Sequence, residues 1–137
     1  MIRCSKYLII AASFCLAVGC SGSGGTSPVP AQEQTITLQE VNDLLHASAA
    51  NGKHAAKLAD LRRNETKFPR AYAAVKNGDV VVLWGTALQG EGQVGQNEAV
   101  LAYEKAVPSG GGFVLLSAGT IKKMTSAEFE SAPKAGK

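Results

Sequence analysis

The apolar positions of this chain change their spacing along its length, and each change marks an element. A near-continuous apolar run, Tyr7 to Val18, follows Arg3 and Lys6. Gly, Ser, Pro and Gln then dominate from Ser21 to Gln34, which leaves nothing to bury and predicts a flexible linker over 20–35. A helical period begins after it, with Leu38, Val41, Leu44 and Leu45 on one face. Thr37 and Glu40 have capping-box spacing, Ile36 can staple onto Val41, and Asn51-Gly52 is a stop. These signals predict a helix from Leu38 to about Ala50. Ala55, Leu58 and Leu61 predict a second short helix ending near Arg63. Pro69 opens a third, Arg70 to Lys76, closed by Asn77-Gly78.

Past Gly78 the period shortens. Asp79-Val-Val-Val-Leu-Trp-Gly85 is a β-branched run between turn residues and reads as a strand, followed by a Gly and Gln loop over 86–97. Glu98 to Val107 has helical propensities without a clean period, and strand is the reading adopted. Phe113 to Leu116 and Thr120 to Met124 form a hairpin around Ser117-Ala118-Gly119. Thr125 and Glu128 make a second capping box, opening a short helix that Phe129 pins to the core before Pro133 ends it. The expected fold is α+β: two or three N-terminal helices on an antiparallel sheet of three or four strands, then a short C-terminal helix. Helices are expected to cover one face of that sheet.

With 137 residues, 45% of them hydrophobic, the chain supports one domain and is too apolar to be disordered throughout. The run 7–18 is shorter than the roughly 20 residues of a membrane-spanning helix and fits the apolar part of a secretory signal. It ends at Ala17-Val18-Gly19-Cys20, which resembles the lipobox of bacterial lipoproteins. That resemblance implies cleavage before Cys20 and lipid on its thiol. The expected organisation is a signal peptide over 1–19, lipidated Cys20 and tether over 20–35, one domain over 36–132 and a frayed tail over 133–137. Cys4 and Cys15 would leave with the signal, so no disulfide forms within the processed chain. Ser21 stands where an Asp would imply inner-membrane retention. By that analogy the outer membrane is expected, or the outer face of the cytoplasmic membrane in a single-membrane cell.

Charge narrows the partners. The formal net charge of +3 falls to +1 once Arg3 and Lys6 are removed, too little to argue for nucleic acid. The basic residues cluster nonetheless: Lys53, Lys57, Arg62, Arg63, Lys67, Arg70 and Lys76 stand against Asp60 and Glu65. A solvated helical face is the expectation there, with anionic head groups or cell-wall polymers as the functional alternative.

Candidate chemistry is sparse. His46 and His54 are eight residues apart across Asn51-Gly52, which is not the three-or-four spacing of a helical zinc site, so no metal is expected. No Gly-x-Ser-x-Gly elbow supports a hydrolase. Gly90-Glu91-Gly92-Gln93-Val94-Gly95 matches a dinucleotide fingerprint in letters. Thr86 to Gln89 separate it from the strand, and Glu91 would face phosphate, so it is read as a loop and no cofactor is expected. Tyr72, Trp84, Tyr103 and Phe113 are read as core aromatics, and no residue is assigned a catalytic role. Asn64-Glu65-Thr66 has the letters of a glycosylation sequon, without force in a bacterial lipoprotein.

The stretch Ala102 to Phe129 resembles the C-terminal hairpin of prepilin-like bacterial proteins marked by a His, nine residues, then Asp-Gly. Here the spacing is filled by Pro108 and Ala118-Gly119, so both polar members differ. The pattern from Gly119-Thr120 to Glu128-Phe129 also resembles the ends of small bacterial lipoproteins. Together these features lead to the expectation of a non-enzymatic envelope lipoprotein, membrane-bound through Cys20 and facing an envelope protein partner. An accessory subunit of a pilin-like or secretion assembly is the alternative.

Overall fold

The computed structural model of the chain describes residues 31–49, 53–85 and 98–136. Helix α1, Ala31–Ser48, buries Leu38, Val41, Asn42, Leu44, Leu45 and Ser48, the expected stripe widened by Asn42 and extended by Ser48. Its start corrects the sequence reading. Residues 31–35, assigned to the tether, are helical, and Thr37 lies in the second described turn with its hydroxyl donating to the Glu33 carbonyl at 2.9 Å. A Thr hydroxyl can satisfy an upstream carbonyl inside a helix as readily as it caps one, and Ala31-Gln32-Glu33-Gln34 are good helix formers.

Helix α2, Leu58–Leu61, runs into a 3₁₀ turn over Arg62–Asn64. The Asp60 carboxylate accepts the backbone N–H groups of Ala56 and Lys57, which holds the start of the helix. Helix α3, Pro69–Asn77, begins on its proline and closes on Gly78 at φ +78°, as Asn77-Gly78 predicted.

Four strands follow: β1 Val80–Val82, β2 Val100–Glu104, β3 Gly112–Leu116 and β4 Ile121–Met124, in the order β1-β2-β3-β4 and antiparallel throughout. The strand reading of 98–107 holds for Val100–Glu104. A register irregularity between Val100 and Ala102 explains the missing alternation, because a bulge breaks the two-residue period. A one-turn helix α4, Val107–Gly110, separates β2 from β3, and α5, Ser126–Ser131, opens on the predicted capping box.

Both sheet faces are covered, where one was expected. Val80, Val82, Ala102 and Leu115 pack with Leu38, Val41 and Leu44 of α1, Leu61 of α2 and Tyr72 of α3. Val100, Val114, Leu116 and Met124 pack with Val107 of α4 and Phe129 of α5, whose ring lies 4.7 Å from that of Tyr103. The thin helices α4 and α5 suffice because they cover a short sheet. The end of the chain is docked as well, which corrects the frayed tail. Val100 N–H donates to the Pro133 carbonyl, Ala135 N–H donates to the Val100 carbonyl, and Ala135 is buried. The Lys134 ammonium caps the Phe129 and Ala132 carbonyls and lies over the Phe129 ring. These pairings are tertiary and leave no local signal in five residues.

Candidate functional site

Among the described residues the sequence candidates lie apart from one another. Cys20, the lipobox and Gly90 to Gly95 lie outside the described residues. His46 is exposed in the last turn of α1. His54 sits beside Leu45, Ala55, Val82 and Trp84, its Nδ1 buried without a hydrogen-bond partner. Among the described residues no three His, Cys, Asp or Glu side chains are placed to hold a metal ion. Asn64 of the sequon donates from Nδ2 to the Ser48 hydroxyl at 3.0 Å, tying the 3₁₀ turn to the end of α1.

Of the aromatics, Tyr72 is core, while Trp84, Tyr103 and Phe113 are half-buried. Phe113 has a further position that periodicity did not show. The strand registers place Val80, Glu104, Phe113 and Lys123 side by side across one end of the sheet. That row floors an open groove of about 790 Å³, walled by the first turns of α1 and by α3. Its lining mixes Glu33, Asp79 and Glu104 with Arg70, Lys105 and Lys123 around Ala73, Ala74 and Phe113.

Several of these charges already have work. Glu104 Oε2 accepts the Phe113 N–H at 2.8 Å, Lys123 Nζ stands 5.9 Å from the Phe113 ring centre, and Arg70 Nε lies 3.8 Å from Glu40. The lip of the groove is Gly110-Gly111-Gly112. A Cβ on Gly112 would meet Glu104 Oε2 at 2.8 Å, so the small residue is what lets this carboxylate reach the Phe113 amide. The lining contains neither His nor Cys. What the arrangement offers chemically is recognition of a polar group of mixed charge by fixed ions and exposed backbone.

A second surface lies at the other end of the helical layer. Lys53, Lys57, Arg62, Arg63 and Lys67 are all exposed, while Leu58 and Leu61 point to the core. Glu128 is held below its usual 4.5, chiefly by the Thr125 N–H and then by the Thr125 hydroxyl. This is the capping box at work, a structural use of charge. Against these surfaces, no protein-family model, curated protein or solved structure matches the chain.

Proposed function

We propose that the chain is a lipid-anchored protein of the bacterial envelope and that its α+β domain acts as a non-enzymatic interaction module. The observation that carries the proposal is the order of Arg3 and Lys6, the apolar run to Val18, and Ala17-Val18-Gly19-Cys20. A thioether-linked diacylglyceryl group on Cys20 supplies two acyl chains, enough for stable membrane attachment where one chain is marginal. No helix among the described residues is long and apolar enough to cross a membrane.

Recognition rather than catalysis is the reading the groove supports. Of its carboxylates Glu104 is engaged by a backbone amide, and its charges of both signs stand around Val80, Ala73, Ala74 and Phe113. The placement favoured is the outer membrane in a cell that has one, and otherwise the outer face of the cytoplasmic membrane. Cell fractionation after labelling with a palmitate analogue tests this. The native chain carries label and stays with membranes through an alkaline wash, whereas Cys20→Ala carries none and is lost from them. A Cys20→Ala chain that fractionates like the native one overturns the proposal.

A further inference from the structure

We infer that the basic end of the helical layer, Lys53 to Lys67, is a contact surface for anionic phospholipid headgroups. Residues 53–67 carry a net charge of +3 with histidines neutral, while the rest of the chain from Cys20 onward sums to −2. The charge is therefore segregated along the chain. All five basic side chains are exposed, and the one ion pair among the described residues, Arg70 with Glu40, lies outside the set. Of the two acids within it, Asp60 is turned onto the Ala56 and Lys57 amides and Glu65 is half-buried. Arg62 and Arg63 sit in the 3₁₀ turn fastened to α1 through Asn64 and Ser48, so their guanidinium groups extend from a fixed base. Two such groups can each take a phosphate in bidentate fashion.

The inference rests on the lipid-anchored reading for its local concentration. Ten residues, eleven Cα–Cα steps, separate Cys20 from Ala31, a reach of at most about 40 Å, and α1 is about 27 Å long. The patch lies by the far end of α1, where Asn64 meets Ser48. An anchored domain with α1 lying along the membrane therefore brings the patch to the headgroups within the reach of the linker. Held there, a surface that binds only weakly from solution stays engaged.

The test separates the surface from the anchor by using the processed chain with Cys20→Ser, which cannot be lipidated. Sedimentation with phosphatidylcholine vesicles containing about one third phosphatidylglycerol, against phosphatidylcholine alone, reads the partition coefficient. Binding to the anionic vesicles alone is expected, weakening as salt rises. Each cation removed costs about fivefold, so Arg62→Gln with Arg63→Gln lowers partition about 25-fold. Lys76→Gln with Lys122→Gln removes the same net charge elsewhere and leaves it within about twofold. All four side chains are exposed, and unchanged thermal melting confirms folding. Equal binding to both vesicle types, no binding at low salt, or equal loss in the two double variants overturns the inference. Absence of lipid on the native Cys20 would instead overturn the anchored reading, a result this assay cannot mimic.

Discussion

Replacing Gly111 by alanine tests whether the triple glycine is a structural requirement or a spacer. Gly111 has φ +73°, and a Cβ there would sit 2.8 Å from the Met124 carbonyl oxygen and 3.2 Å from Thr125 Cα. Both obstacles are backbone, one at the end of β4 and one at the cap of α5, so neither can move aside like a side chain. With ψ at 174°, Gly111 occupies an extended positive-φ conformation that glycine alone populates readily, at about 1–3 kcal/mol for a residue with a Cβ, and overpacking against fixed neighbours adds about 1–3 kcal/mol. A loss of about 3 kcal/mol is a large part of a small domain's total of roughly 5–15 kcal/mol. In urea, at an m-value of about 1.5 kcal/mol/M, the midpoint drops by about 2 M. Two other glycines resolve the causes. Gly78 has φ +78° and nothing within 4 Å, so Gly78→Ala carries the cost of a left-handed backbone without any clash, about 1–2 kcal/mol. Gly110 meets nothing within 4 Å and lies in α4, so Gly110→Ala is neutral or stabilising by about 0.5–1 kcal/mol. Equal losses at Gly110 and Gly111 would refute the reasoning.

Two further outcomes follow from contacts at the C-terminal end. Glu128 is more acidic folded than unfolded, so its contribution is present above the ordinary 4.5 and fades as pH falls through the depressed folded value. Chemical denaturation across acid pH should show this slope reduced in Glu128→Gln; an identical slope contradicts the role of the cap. Ending the chain after Ala132 removes two backbone hydrogen bonds to Val100 and the buried Ala135, a loss of about 2–3 kcal/mol. Hydrogen exchange should show the Val100 amide deprotected, and unchanged protection would mean the tail is not docked.

What the sequence made legible was local. Pro69 and Asn77-Gly78 bracket α3, the valine run marks β1, and Thr125 with Glu128 opens α5, because each signal is completed within a few residues. The start of α1 was misread for the converse reason. Thr37 and Glu40 have the letters of a cap, and only the carbonyl of Glu33 upstream decides that the hydroxyl serves a helix already under way. The second sheet face depends on Val107 and Phe129 meeting Val114 across the sheet, a contact with no periodic trace. The groove is less visible still. Glu104, Phe113 and Lys123 become neighbours through two strand registers, and Arg70 joins them only when α3 packs on α1. The basic segment is fully visible as composition, but its outward-facing state, with no ion pair among the described residues, comes from the fold.

The central claim is the lipid on Cys20, and mass spectrometry of the N-terminal peptide of the native protein tests it most directly. The account predicts a peptide that begins at Cys20 and carries a diacylglyceryl group, with or without a further acyl chain on the amine. A peptide that retains residues before Cys20, or that begins at Cys20 with a free thiol, would contradict it.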